Sequence, residues 1–264
     1  MFEKSKEKYK DTEYKMLIAK LIDKYEVCKT KNKITYTDFL HISERSIVEK
    51  VLKEERIFNF VFYGGKEEAD RSVLIFYPDK INEEMLLKNY EKIFNVIRIK
   101  LPNNIEYEHR EFLSGIMKLG IKREKFGDII VTDFGADIIV FSEISKILAE
   151  DLKGLTRFRK SEIEIVLINE LTYVEPEFEK FNVIVSSLRL DNFVSELANS
   201  SRTRASEIIN EGKVFLNSIN EFKDSKKIEI NDIITIRGKG KFIFDGIEKE
   251  TKSGKFLVNI RKYK

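Results

Sequence analysis

Six cations in the last third of this 264-residue chain have the types and spacing to hold phosphate. Arg202 and Arg204 fall in the first turn of a predicted helix, Lys213 lies just past its end, and Arg237, Lys239 and Lys241 share an Arg-Gly-Lys-Gly-Lys run. The helix dipole disfavours cations at a helix start by roughly a few tenths of a kcal/mol, so their placement there points to an anion outside the chain. Backbone amides at the same helix start add donors for that anion. Two glycines let the 237–241 run turn sharply while its three cations point outward. The chemistry such a set supports is electrostatic docking on a phosphate-rich polymer.

The elements that must position these cations follow from periodicity. In Arg189–Ala198, the residues Leu190, Phe193, Val194, Leu197 and Ala198 recur at the spacing of one buried helical stripe, with Arg189, Asp191, Asn192 and Glu196 on the wet face. Asn199-Ser-Ser201 interrupts it, Ser201 caps a second helix with Ala205, Ile208 and Ile209 inward, and Gly212 ends that helix. Beyond Gly212 the period drops towards two, in short strands at Val214–Leu216, Ile228–Ile230, Ile233–Ile236, Phe242–Phe244 and Phe256–Ile260. Asn217 holds the intervening turn or reaches a sugar hydroxyl.

These residues carry a resemblance. Leu188-Arg-Leu-Asp191, Ser201-Arg-x-x-Ala205, Ile208-Ile-x-x-Gly212-x-Val214, Asn217 and Asp232-x-Ile234-x-Ile236-Arg-Gly238 are similar in type and spacing to the S4 RNA-binding domain. Asn231 departs from the pattern, standing where that family usually has glycine before the aspartate. The resemblance implies RNA contact through Arg189, Ser201, Arg202, Arg204, Lys213, Asn217, Arg237, Lys239 and Lys241.

Composition agrees with a polyanion partner for the tail rather than for the whole chain. Lys and Arg number 48 against 45 Asp and Glu, a formal charge of only +3, but from Ser186 onward 16 Lys and Arg face 11 Asp and Glu. A single cysteine, Cys28, rules out an internal disulfide, and with only His41 and His109 beside it leaves too few soft ligands for a zinc site. Cys28 therefore reads as a structural thiol in a reducing, cytoplasmic setting. No signal-peptide core and no run of about 18 apolar residues is present. No metal and no cofactor is expected.

Upstream, residues 7–29 and 39–52 read as helices, and 58–63 and 73–77 as two paired strands around Gly64-Gly65-Lys66. That tripeptide lacks the earlier glycine and following hydroxyl of a phosphate loop and reads as a turn; Arg71 could reach a phosphate from such a turn, with a solvated arginine as the favoured account. Strand 96–101, helix 107–119, hairpin 128–132 and 136–141, helix 142–152 and strands 163–169 and 182–185 follow, an order that resembles a ferredoxin-like sheet of the RRM-like type. The expected fold class is α+β, with an N-terminal helical and strand domain over 1–80, a central RRM-like domain over 81–182 and an S4 domain over 183–264.

Tyr63-Gly-Gly65 with Arg71, and His109-Arg110 followed by Gly115-x-Met117-x-Leu119-Gly-Ile-Lys-Arg-Glu-Lys-Phe-Gly-Asp128, resemble the YlmH family of S4-domain RNA-binding proteins over essentially the whole chain. That resemblance implies association with ribosomal RNA, tRNA or both on the ribosome, with the large subunit as the expected partner, and a link to quality control of stalled ribosomes. His109, Arg110, Arg123 and Lys125 are candidate secondary RNA contacts. An alternative account has Asp128 capping local amides with Arg123 paired to it.

Two rival functions compete with this reading. One is an RNA-modifying enzyme of the pseudouridine synthase or rRNA methyltransferase type, which the absence of GxGxxG after a strand and the placement of Asp191 on an outer helical face argue against. The other is a cell-division adaptor. The expectation is a non-catalytic protein, with the RNA target, protein partners and oligomeric state left open.

Overall fold

The N-terminal apolar stripe is carried by two helices, α1 (Glu3–Tyr9) and α2 (Lys15–Lys31), where the periodicity predicts one. The Thr12 hydroxyl donates to the Tyr9 carbonyl at 2.9 Å and accepts the Tyr14 amide, a local alternative that competes with the helical ladder. This computed structural model describes all residues except Met1, Asp11, Glu13, Glu67, Glu68, Ser218 and Lys264, and Glu83 by its backbone alone.

The helix expected over 39–52 begins late. Strand β1 (Thr35–His41) takes Phe39 and Leu40, and α3 (Ile42–Glu54) follows at once. His41 is the N-cap of α3: its ring accepts from the Ser43 amide while Glu44 reaches back to the His41 amide. Histidine is not among the residues that usually announce a helix start, so this capping box was not legible. Strands β2 (Phe60–Tyr63) and β3 (Arg71–Phe76) then pair, giving an antiparallel sheet ordered β1-β3-β2.

Next comes α4 (Glu83–Ile93), which the sequence reading passed over; Asn82 caps it, accepting from the Met85 amide at 2.9 Å, and Leu86, Tyr90 and Ile93 face inward. The following elements are β4 (Phe94–Lys100), α5 (His109–Lys118), β5 (Phe126–Thr132), β6 (Gly135–Phe141), α6 (Ser142–Gly154) and β7 (Glu162–Leu167). They build a four-stranded antiparallel sheet ordered β5-β6-β4-β7.

Alternation along these strands sends two apolar sets to opposite faces. Ile97, Ile99, Ile138 and Val140 pack under Phe112 and Ile116 of α5 and Leu148 and Leu152 of α6. Phe94, Val96, Ile139 and Phe141 pack instead against Phe39, Val73 and Ile75 of the N-terminal sheet. Phe39 lies 4.8 Å from Phe141 and 5.9 Å from Phe94 between ring centroids, within the range of favourable aromatic pairs. Both faces of the four-stranded sheet are therefore covered.

One ion pair is buried beside this second core. Arg98 on β4 and Asp137 on β6 are cross-strand partners, joined by two hydrogen bonds of 2.8 Å, and the Asp137 side chain is 0% exposed. Arg98 also donates to the Glu170 carbonyl and the Thr172 hydroxyl, and the Thr172 amide donates to Asp137. Burial pushes the Asp137 carboxyl up, but the bonds from Arg98 and Thr172 outweigh it and hold the group below the usual carboxylate range.

The chain divides into two compact units, Met1–Val174 and Glu175–Lys264. The second contains β8 (Phe178–Val185), α7 (Leu190–Leu197), α8 (Arg202–Asn210), β9 (Val214–Leu216), β10 (Ile219–Asn220), β11 (Ile233–Ile236), β12 (Gly240–Glu250) and β13 (Phe256–Tyr263), with the strands in one antiparallel sheet ordered β10-β9-β11-β12-β13-β8. Phe193, Val194, Ala205 and Ile209 of the two helices pack on Val214, Ile234 and Phe244 of the sheet.

Two strand assignments change. The 182–185 strand, read as part of the central sheet, pairs with β13 over eight residues, so a boundary at 182/183 would cut through β8. Strand partners are set by tertiary pairing, which nearness in sequence does not reveal. Ile228–Ile230 forms no strand: Ile228 is buried and Ile230 exposed, with a lone bridge between Arg189 and Lys227. Asn231, where the related pattern has glycine, adopts φ 71°, the left-handed conformation that asparagine tolerates better than most residues.

Candidate nucleic-acid interface

The first helix of the second unit opens on a closed polar knot, which corrects the sequence reading. Asp191 and Asn192 are each only 4% exposed, not on the wet face. The segment after Glu221 folds over the start of α7, the Leu190 amide donating to the Lys226 carbonyl and the Asp191 amide to the Asp224 carbonyl. Asp191 then accepts from Arg189 through two bonds of 3.1 and 3.0 Å, from Arg202 at 2.9 Å and from the Asn192 amide. Burial raises its carboxyl, yet the two guanidiniums prevail and hold it below the usual range. One carboxylate thus fixes Arg189 and Arg202 side by side with one net positive charge left over.

Ser201 caps α8 as expected, accepting from the Arg204 amide at 3.2 Å. Arg204 donates to Glu207 at 2.6 Å and to Glu211 at 3.3 Å, and Lys213 pairs with Glu211 at 2.5 Å. Glu211 is held below its usual range, first by Lys213. Part of the cation set is therefore engaged with the protein's own acids. These side chains are about half exposed, Arg204 at 49% and Lys213 at 46%, and solvent-exposed pairs of this kind are weak, salt-screened and exchangeable.

The Arg237 amide donates to the Lys213 carbonyl at 2.9 Å, which sets the β11–β12 turn beside the end of α8. Arg237 lies over the Phe215 ring at 5.2 Å, Lys241 over Tyr263 at 4.6 Å, and Lys239 occupies the exposed tip with no ion pair among the described residues. Gly238 adopts φ 78° at that tip. Asn217 is committed to its turn: its amide nitrogen donates to Asp232 at 2.7 Å and its oxygen accepts the Ile233 amide at 2.9 Å. The structure thus links Arg189 to Arg202, Arg204 to Lys213, and Lys213 to the 237–241 turn.

The four secondary candidates do not form one set. Arg110 is bound to Glu108 and Glu111, and Lys125 to Asp38 at 2.6 Å. Arg123 is not paired to Asp128; it donates to the Phe126 and Gly127 carbonyls and stacks on Phe126. Asp128 lies within β5, and it accepts not local amides but those of Asp70 and Arg71, far away in sequence, with Lys66 at 3.5 Å. Arg71 is not a solvated arginine: burial holds its guanidinium below its ordinary value, and one arm donates to the Phe39 carbonyl. His109 is likewise lowered, by desolvation first and then by Arg123.

Sequence reasoning set Asp128 beside Arg123 but missed Lys66 and Arg71 as neighbours of that pair and of His109. The available signal was that the Gly-Gly and Gly-Asp phrases both contain glycines needed for close approach. A Cβ on Gly127 would meet the Phe39 ring at 2.7 Å, and one on Gly65, at φ 82°, would meet Ile139 at 2.6 Å. Among the described residues no cluster of His, Cys, Asp and Glu could hold a metal ion, and no helix is long and apolar enough to cross a membrane. Cys28 is buried, which pushes its thiol up.

A family model described as a putative RNA-binding domain in YlmH matches residues 88–170. The chain is 27% identical over 239 residues to ribosome-associated protein quality control protein P2 of Bacillus subtilis (strain 168), covering 90% of this chain and 91% of that protein. Among solved structures, cell division protein ylmH from Streptococcus pneumoniae matches with a TM-score of 0.44 and 18% identity, over 61% of this chain and 95% of that one. The chain is thus similar to the YlmH family, through the family model over residues 88–170 and through a relative aligned over 90% of its length.

Proposed function

We propose that the protein is a non-catalytic RNA-binding protein that docks on structured RNA, ribosomal RNA or tRNA on the large ribosomal subunit, and acts in quality control of stalled ribosomes. The observation that carries this reading is the line of cations from the start of α7, along α8, to the β11–β12 turn, held outside an apolar core by short internal contacts. The α7–α8 pair on its sheet supports an S4 assignment for the second unit. The β-α-β-β-α-β order with β6 and β4 central supports an RRM-like assignment for residues 94–167. The relative that spans nearly the whole chain carries a ribosome-associated quality-control name, which supports the biological setting.

Asp191 is a poor nucleophile in this setting. Its oxygens are engaged by two guanidiniums and by Asn192, and its low carboxyl pKa removes it from acid–base work near neutral pH. This argues against the pseudouridine synthase reading.

The internal carboxylates make a two-sided test. Changing Arg202 and Lys239 to alanine is expected to weaken RNA or ribosome binding several-fold and to flatten its salt dependence. Glu211→Gln removes an acid that competes with phosphate for Arg204 and Lys213, so it is expected to tighten binding about two- to fivefold. Gel-shift titrations at two salt concentrations check both, and equal affinities for parent and both variants would sink the reading.

A further inference from the structure

We propose a second phosphate site in the first unit, built by Arg71 at the start of β3, Arg123 before β5, His109 at the start of α5 and Lys66, which takes an RNA backbone phosphate. This deepens the RNA-binding reading and rests on it. Arg71 and Arg123 are both partly desolvated, and each is anchored by carbonyl acceptors: Arg71 by Phe39 at 3.0 Å, Arg123 by Phe126 and Gly127 at 2.8 and 2.9 Å. Neither makes an ion pair with a carboxylate among the described residues. The Nε of Arg71 is buried and has no hydrogen-bond partner among the described residues, an orphaned donor of the kind that marks a missing anion or water.

The surrounding charges point the same way. Burial first, and then the charge of Arg71, push Arg123 down to about 10. The nearby carboxylate Asp128 is 7% exposed and spends its oxygens on the Asp70 and Arg71 amides and on Lys66. Glu44, Glu124 and Asp70 offset the cations only through space. A phosphate group brought to this cluster would give the Arg71 donor an acceptor and offset the positive charge of Arg71, Arg123 and Lys66. Covering both faces of the four-stranded sheet favours RNA as the source. On the RNA-binding reading, the segment resembling a putative RNA-binding domain has both sheet faces covered, which leaves phosphate contact rather than base stacking, and His109 opens α5 and Arg123 precedes β5 in that segment.

The test follows the Arg71 Nε–H resonance in the full-length, nitrogen-15-labelled chain, titrated with a short RNA hairpin bearing a 5′-hydroxyl, with inorganic phosphate, and with an acidic peptide. The expected result is a shift that saturates with RNA at a concentration at least about tenfold below that needed with phosphate, because flanking phosphates add contacts. The surface changes Lys66→Ala and His109→Gln are each expected to weaken the response about two- to tenfold. The site is overturned if the resonance stays still while RNA binds. Its assignment to RNA is overturned if inorganic phosphate or the peptide moves the resonance and the hairpin does not. The same titration on a chain with Arg237, Lys239 and Lys241 changed to glutamine separates the two readings: loss of the second-unit interface leaves the Arg71 shift in place, and loss of the Arg71 shift leaves the effect of those three changes in place.

Discussion

A chain with Arg237, Lys239 and Lys241 all changed to glutamine is expected to bind structured RNA roughly 10- to 100-fold more weakly near 0.1 M salt, with the slope of log affinity against log salt reduced by about 3. Each cation that neutralises a phosphate releases counterions, so affinity and salt slope must fall together. The turn should keep its shape, because it is built from backbone bonds of the β11–β12 ladder and from Gly238 and Gly240, none of which the changes touch. Filter-binding titrations across salt, with circular-dichroism melting as the fold control, give the answer. A melt unchanged and an affinity unchanged would remove the turn from the interface.

Asp137→Ala is expected to destabilise the first unit by about 3–5 kcal/mol, since it strands the Arg98 guanidinium in a site where that side chain is only 17% exposed. The aromatic contacts of Phe39, Phe94 and Phe141 lie in the adjoining core, so the loss should appear in the cooperative unfolding of the whole unit. The pH dependence has a defined sign. Asp137 titrates lower in the folded chain than when unfolded, so its contribution is fully present above the ordinary carboxylate range, about 4, and is lost as pH falls through the lower folded value. Urea unfolding near neutral pH should show a large gap between parent and variant, and the gap should shrink in acid. A gap below about 1 kcal/mol near neutral pH would contradict the assignment.

Local pattern and tertiary partnership divide what could be read from the sequence. The helices at 190–197 and 202–210 and the turn at 237–241 follow from periodicity, caps and glycine placement, and the structure builds them there. The inward turn of Asp191 does not: on a helical wheel it belongs to the polar face, and only the 222–228 segment laid over that helix start buries it. Likewise the engagement of Glu211 comes only with the end of α8, which brings Arg204 and Lys213 to it. The covering of the four-stranded sheet was hidden because both sheets present apolar alternation, and alternation does not say what meets it. The gathering of Lys66, Arg71, His109, Arg123 and Asp128 depends on that same sheet-on-sheet contact.

The central claim, that cations of the second unit meet RNA phosphates, is tested most directly by crosslinking the full chain to cellular RNA with ultraviolet light and mapping the modified peptides. The account predicts RNA-linked peptides from 189–213 and 237–241, lost when the three turn cations are replaced by glutamine. RNA-linked peptides from the first unit alone, with none between residues 175 and 264, would contradict it.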